Sequence, residues 1–542
     1  MTTPDSRRPE ARAAVILLGL LAACAPPGPS RADERAAAPR TPIRHLVVIY
    51  QENVSFDHYF ATYPHAANLE GERPFPAMRT ASVNGLSGPL LTKNPNSRAP
   101  FRLPPAHAAT CDQDHTYLDE QRAYDLGLVD RVVEFEGTGA RKTYGQTACD
   151  AGDVMGYFDG NTVAALWMYA HRFTLADNFF GTTFGPSTVG ALNLVAGQTH
   201  GATGDCGDLP PEAGCVATAD GLSFTGRDSV EILDHTIIGD PQPAFDECST
   251  RERAAMSGTN VGDLLTKNHV RWGFFQGGFR PSGHTASGRA QCETAHPGSA
   301  GGSVPDYIPH HEPFQYYRST ANPGHLPPTR AELIGSNEDA ANHQYDLEDF
   351  WSAAGAGHLP EVAFLKAPAY QDGHAGYSDP LREQQFLVET INRLQRLREW
   401  RAMAIVIAYD DSDGWYDHVM PPIVRASAGA QDAISGERRC GQPGAAAVTG
   451  RCGYGPRLPL LVLSPWVRPG YIEHRLLDQA SILRFIEDNW RLGRLGGGSA
   501  DEEADPLDEI FEWAVPPRLN WLLLDPVTGE RRHEEQPGVP RR

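Results

Sequence analysis

From residue 45 to 50 the chain reads HLVVIY, an apolar, β-branched run without alternation, which predicts a strand buried on both faces. The run stops at Glu52 and Asn53. Similar runs at 361–366 (EVAFLK), 402–409 (AMAIVIAY) and 458–463 predict three more buried strands, and 270–275 (VRWGFF) a fifth. Helical spacing fills the intervals. It is seen over 115–133 through Tyr117, Ala123, Tyr124 and Leu128, over 161–173, and as a short helix at 347–351. It continues over 384–400, with Phe386, Leu387, Ile391, Leu394 and Leu397 on one side, and over 478–492, where Asp478 is placed to cap. Residues 176–180 are expected to lead out of the second helix toward Gly181. After the turn signal Gly185-Pro186, Ser187 and Thr188 are good caps for a helix running through 189–195. Strands alternating with helices predict an α/β fold, and no internal repeat interrupts them.

Between these elements, 64–105 is rich in Pro, Asn and Ser and reads as a surface excursion, while 202–302 is a Gly- and Cys-rich insertion. The 54 glycines and 44 prolines suit an enzyme with long insertions better than a helical or fibrous protein. With 47 basic against 68 acidic residues, the net charge of −21 argues against nucleic acid as a partner and against electrostatic binding to anionic lipid.

The N-terminus reads as a targeting segment. Arg7, Arg8 and Arg12 precede an apolar run from 13 to 23, too short to span a bilayer but right for a signal peptide over 1–23. Leu21-Ala22-Ala23-Cys24 resembles the lipobox of bacterial lipoprotein precursors, which implies a membrane tether through lipidated Cys24 and export to the periplasm, cell envelope or medium. Residues 24–40 are a Pro/Ala/Arg-rich flexible tether, 41–525 are expected to form a single domain with insertions, and 526–542 an unfolded tail. Beyond Cys24 lie Cys111, Cys149, Cys206, Cys215, Cys248, Cys292, Cys440 and Cys452. An even set without CxxC spacing suits disulfides in an oxidising compartment, with Cys206–Cys215 and Cys440–Cys452 the obvious local pairs.

Three junctions offer complementary chemistry: Glu52 with Asn53, Ser187 at a helix start, and Asp410 with Asp411 after the strongest strand. Carboxylates and an amide oxygen are hard ligands for a divalent cation, and a serine on that cation can lose its proton near neutral pH. Attack by Ser187 on phosphorus would give a phosphoseryl intermediate, with helix amides holding the anionic oxygens. His115, His310, His311 and His374, each in a polar stretch, are candidates for the acid that protonates the leaving alcohol. Taken singly, each of these residues fits a cap or a structural hydrogen bond, and Asp417-His418 reads as a turn before Pro421-Pro422.

In order along the chain, HLVVIYQENVSFDHYF from His45, MGYFDG from Met155, DNFFGTTFGPST from Asp177, HHEPF from His310, AYDDSDGWYDHVMPP from Ala408, GPRLPLLVLSPWVRPG from Gly455 and DQASILRFIE from Asp478 all carry one resemblance. The chain resembles the bacterial phosphoesterase family that joins phospholipases C with acid phosphatases, related to the alkaline phosphatase superfamily. That resemblance implies a central, mostly parallel sheet flanked by helices, alkaline phosphatase-like, with the active site at the strand ends. It implies one divalent metal ion on Glu52, Asn53, Ser187, Asp410 and Asp411, Ser187 as nucleophile, and His115, His311 and His374 around the phosphate, with His310 beside them. Two positions depart from the family pattern: Val54 replaces the arginine of QENRS, and DSDG from Asp411 stands where phospholipases have EHGG. The expected substrate is a phosphate ester, either a phosphodiester of phospholipase C type or, as the alternative, an acid phosphatase's phosphomonoester. A third reading is a cell-surface binding protein on an inactive scaffold, against which the intact residue set argues. The body shows no basic or amphipathic membrane-binding helix, which favours small soluble esters.

Overall fold

Nine strands in one sheet set the architecture of this computed structural model, which describes residues 38–79, 82–137, 149–225 and 229–532. They are β1 (His45–Gln51), β2 (Thr174–Phe180), β3 (Trp272–Gln276), β4 (Gln344–Asp346), β5 (Val362–Lys366), β6 (Met403–Tyr409), β7 (Arg457–Leu463), β8 (Tyr471–Glu473) and β9 (Leu477–Asp478). Across the sheet the order is β4-β3-β5-β1-β6-β7-β2-β8, and β9 also pairs with β2. Every pairing is parallel except the two made by β7, with β6 and with β2. Two antiparallel contacts in succession restore the direction, so all strands but β7 end at one edge. The expected α/β sheet, central and mostly parallel, is thus the one observed.

Seven helices matter to the site: α1 (Phe56–Phe60), α2 (Tyr117–Ala123), α3 (Ala164–Arg172), α4 (Ser187–Ala196), α5 (Leu347–Gly355), α6 (Pro380–Arg396) and α7 (Gln479–Trp490). Every residue of β6 is buried, as continuous apolar strands require when both faces are covered. The register shows what covers them. Tyr50 pairs with Ala408 and Gln51 with Tyr409, so Tyr50 and Tyr409 point to opposite faces. The Tyr50 hydroxyl accepts from Gln479 of α7 at 3.1 Å, and that of Tyr409 donates to Glu383 of α6 at 2.6 Å. The two helices therefore lie on opposite sides of the sheet.

α6 buries Phe386, Leu387, Ile391 and Leu394, as the periodicity predicts. It starts earlier than predicted because Asp379 caps it, accepting from Leu381 and Arg382 N–H at 2.8 and 3.0 Å, with Pro380 in the first turn. Two expectations fail. The helix expected over 115–133 stops at Ala123, since Leu126 (φ 58°) and Val129 (φ 54°) turn the chain back, and it resumes only as a short turn at Val132–Phe135. The segment 176–180 is not an exit from a helix but most of β2. Its Asp177 hid the strand pattern and is buried because it accepts from Asn84 N–H at 2.9 Å and pairs with His474.

Four disulfides join Cys111–Cys149, Cys206–Cys215, Cys248–Cys292 and Cys440–Cys452, so both local pairs read from the sequence are present. Of the stretch 202–302 read as an insertion, Trp272–Gln276 is β3 of the main sheet, and the strands before and after it form small sheets of their own. The described residues form one compact unit. The tail expected to be unfolded from 526 keeps structure as far as the description reaches: Leu524 bridges Arg531, and Val527 and Thr528 N–H donate to Asp525. The signal segment, Cys24 and residues 533–542 lie outside the described residues. Among the described residues no helix is long and apolar enough to cross a membrane.

Two measurements check this packing. A Cβ on Gly190 of α4 would lie 2.1 Å from the backbone oxygen of Asp410. Gly190→Ala must therefore push α4 off the end of β6, with an expected loss of about 1–3 kcal/mol in chemical denaturation; an unchanged midpoint would contradict the contact. Burial, outweighing the hydroxyl donors of Tyr409 and Tyr59, pushes the Glu383 carboxyl up to about 7 from 4.5. The folded state then holds a proton that the unfolded chain releases, so this stabilisation is full below 4.5 and is lost as the pH rises through about 7. Glu383→Gln should flatten the fall in stability between about pH 5 and pH 8 by up to about 3 kcal/mol; identical slopes for both proteins would refute it.

Candidate active site

Parallel strands deliver their last residues to one edge, and in α/β sheets that edge is where ligands collect. Glu52 and Asn53 follow β1, Asp410 and Asp411 follow the adjacent β6, and Lys366 is the last residue of β5 on the other side of β1. The register pairs Gln51 with Tyr409, which sets Glu52 level with Asp410. Backbone bonds lock the two turns together: Asn53 N–H donates to Asp410 Oδ1 at 3.2 Å, and Val54 N–H to the Asp411 carbonyl at 2.9 Å. Asn53 has φ 27°, a left-handed conformation that asparagine tolerates better than most residues. Val54, in place of arginine, is buried and simply joins the core.

Ser187 arrives from β2 through the turn at Gly185-Pro186. Gly185 has φ +122°, and a Cβ there would lie 2.9 Å from Val189 Cγ2, so only glycine fits. Pro186 takes the cap position and Ser187 is the first helical residue of α4, not the cap. Its Oγ donates to Glu52 Oε2 at 3.1 Å and lies 3.4 Å from Asn53 Oδ1. Thr188 N–H donates to Asp240 at 2.9 Å, so that helix amide is committed to a carboxylate and is not open to an anion.

The electrostatics follow from burial of several acids together. Burial alone would raise the Glu52 carboxyl, but His311 and Lys366 beside it hold it well below its ordinary range. The Lys366 ammonium contacts Glu52 Oε1 directly and lies 3.9 Å from Asp410 Oδ2. Burial and the neighbouring Glu52 push Asp410 well up. Burial raises Asp411 to about 7 and Asp413 to about 8, with His115 opposing both shifts.

The four histidines take different places. His311 Nδ1 lies 3.2 Å from Glu52 Oε1, and burial holds this ring well below its usual range. His310 packs edge-on against it at 4.5 Å between ring centres, is held near 4 by burial, and its Nδ1 has no hydrogen-bond partner. His115 and His374 face each other across 6.1 Å. Burial opposes charge on His115, but Asp411 and Asp413 hold it well above its ordinary value. Ser187, Asn53 and His311 therefore meet at Glu52, while Asp410 and Asp411 follow the adjacent strand and His115 stands on the Asp411 side.

Residues beyond the sequence prediction complete the pocket. Lys366 was readable as a charge at a strand end, the same signal that marks Glu52. Glu120 of α2, raised by burial to about 8, accepts from Ser412 Oγ and from Gly185 N–H, both at 2.9 Å, and so ties the acidic turn to the serine turn. Asp417 and His418 are more than a turn: fully buried Arg457, at the start of β7, bonds Asp57 and Asp417, and His418 bonds Asp57 at 2.6 Å. Nothing local in the sequence announces those long-range pairings.

The donor set suits a hard divalent cation. The oxygens of Glu52, Asn53 and Ser187 meet at one buried spot, Asp410 stands beside Glu52 on the adjacent strand end, and Asp411 Oδ2 is buried with no hydrogen-bond partner. Histidine and carboxylate groups of metal-binding size also occur at Glu52/His311/Asp372 and at Asp112/His115/His374/Asp413.

The chain is similar to several bacterial phospholipases C. Non-hemolytic phospholipase C of Burkholderia pseudomallei is 24% identical over 82% of this chain and 55% of its own length. That of Pseudomonas aeruginosa is 23% identical over 86% and 58%, and phospholipase C A of Mycobacterium tuberculosis 21% over 88% and 78%. The chain thus spans little more than half the length of the first two. Murine ectonucleotide pyrophosphatase/phosphodiesterase 5 aligns with 65% of this chain and 95% of its own at 11% identity and a TM-score of only 0.28, too slight an overlap to build on. The model of the phosphoesterase family matches residues 43–493, and the chain belongs to that family.

Proposed function

We propose that the protein is a metal-dependent phosphoric ester hydrolase of phospholipase C type, acting on phosphodiesters through Ser187. The observation that carries this reading is the Ser187 hydroxyl 3.1 Å from Glu52 at the helix start, among buried acids on neighbouring strand ends. Glu52, Asn53, Ser187, Asp410 and Asp411 would hold one divalent cation. Bound there, it would lower the pKa of the serine hydroxyl and offset the charge of the phosphate. Ser187 Oγ attacks phosphorus and displaces the alcohol, leaving a phosphoseryl enzyme that water then hydrolyses. Glu52 orients Oγ by accepting its hydrogen bond, and the Lys366 ammonium keeps Glu52 ionised. His115 and His374 line the leaving-group side, beside Asp411 and Glu52 respectively.

A second reading keeps this machinery and changes the substrate to a phosphomonoester, as in an acid phosphatase. It is favoured by the paired aspartates Asp410-Asp411, which that branch of the family can carry. Four disulfides support an exported protein, and the lipobox at Cys24 supports a membrane tether.

Ser187→Ala should lower hydrolysis by at least about 10³-fold with the fold intact by circular dichroism; unchanged turnover would remove Ser187 from the mechanism. Assay of p-nitrophenyl phosphate, p-nitrophenylphosphorylcholine and a phospholipid should show the diesters preferred. Preference for the monoester would select the second reading. Chelation should abolish turnover and added divalent metal restore it, and a rate indifferent to both would end the metal assignment.

A further inference from the structure

The acids of the Ser187 site stand at one edge of the sheet. The opposite edge, where β1 and β6 begin and the antiparallel β7 ends, has a different character. The segment 510–522 lies across it. Arg468 N–H donates to the Ile510 carbonyl at 3.1 Å, Glu512 N–H to that of Trp466 at 2.8 Å, and Arg518 N–H to that of Pro465 at 2.7 Å. Leu522 N–H donates to Gln395, near the end of α6, at 2.8 Å. Trp466 Nε1 donates in turn to the carbonyl of Arg401, just before β6, at 2.9 Å.

This edge is apolar and basic in a protein whose net charge is −21. Residues 513–521, WAVPPRLNW, include no acid, and Val515 and Leu519 are 41% and 46% exposed. Trp513 stacks on Phe511 at 4.6 Å and stands 6.1 Å from Trp466. Both indoles, and that of Trp521, are only partly buried. Glu399, Asp508 and Glu512 are paired with Arg398, Arg40 and Arg518. Among the described residues, Arg172, Arg401 and Arg468 have no carboxylate partner and keep contact with solvent. Burial, together with the nearby Arg518 and Arg531, lowers the Arg172 pKa, so cations gather here.

Tryptophan rings favour the headgroup zone of a bilayer, and guanidinium forks bind phosphate oxygens. A second copy of the same edge is a poor occupant, because a symmetric contact sets these arginines against one another. The described chain also starts here. Arg40 N–H donates to the Asn489 carbonyl, near the end of α7, at 2.7 Å, so the backbone leading back to Cys24 leaves from this edge.

We propose that the edge formed by Trp466, Trp513, Val515, Leu519, Trp521 and the surrounding arginines rests on a bilayer containing anionic phospholipid, the one in which a lipid on Cys24 would be anchored. Because the protein as a whole is acidic, the attraction acts at short range and fades with salt. The surface does not depend on the hydrolase reading, but it sets how a hydrolase is presented. The strand β6 has seven residues. It spans about 20 Å, so the Ser187 site stands on the side away from the bilayer and receives its ester from solvent.

The test is vesicle sedimentation of the mature chain from residue 24, carrying Cys24→Ser so that no lipid anchor contributes and Ser187→Ala so that the vesicles stay intact. The vesicles are phosphatidylcholine alone or an equal mixture with phosphatidylglycerol. Two variants, Val515→Asp with Leu519→Asp and Arg401→Glu with Arg468→Glu, are verified as folded by circular dichroism. With Ser187 restored, each is also assayed on a soluble p-nitrophenyl ester. The parent chain should sediment with the mixed vesicles, less with phosphatidylcholine alone, and be released by salt. Each variant should lose affinity by about tenfold or more while its turnover of the soluble ester is unchanged. A parent chain that stays in the supernatant, or two variants that sediment as it does, overturns the proposal. So does a dimer of the parent chain, without vesicle binding, that Val515→Asp with Leu519→Asp dissociates, which makes the edge a contact between copies.

Discussion

Burying Glu52, Asp410 and Asp411 at the ends of two adjacent strands is the constraint on which the rest of the structure depends. Carboxylates removed from water repel each other and are costly unless positive charge stands among them. The fold brings them together because parallel strands end at one edge, and the register leaves β1 and β6 no other choice. Lys366 from the third adjacent strand supplies one fixed charge, and His311 adds its ring to the same carboxylate. The remaining open oxygen of Asp411 is the space in which a divalent cation is proposed.

The other elements hold that arrangement. α4 reaches the acids only because Gly190 lets its backbone lie against Asp410, and Gly185 permits the turn that presents Ser187. Glu120 links the turn before Ser187 to the loop after Asp411. On the far side, Arg457 joins Asp57 after β1 to Asp417 after β6, so the loops on both sides of the pocket share one buried cation.

Much of this was legible in the sequence. Glu52, Asn53, Asp410 and Asp411 stood out because each pair ends an uninterrupted apolar run, and Ser187 because Gly-Pro before a serine marks a turn into a helix. Lys366 obeyed the same strand-end rule but looked like the last letter of EVAFLK. β2 was missed because Asp177 and Asn178 break its pattern, and their partners lie far away in sequence. The helix expected over 115–133 failed because left-handed residues at 126 and 129 leave no mark in hydrophobic spacing.

The central claim, that Ser187 carries the reaction, is tested most directly by trapping the enzyme during turnover. A saturating phosphate ester is mixed with protein, quenched in acid within milliseconds to seconds, and the digest searched for phosphorylated peptides by mass spectrometry. The account predicts phosphate on Ser187 in the wild type and none on the corresponding peptide of Ser187→Ala. Phosphate on another residue, or rapid turnover with no phosphoenzyme at any quench time, would contradict it.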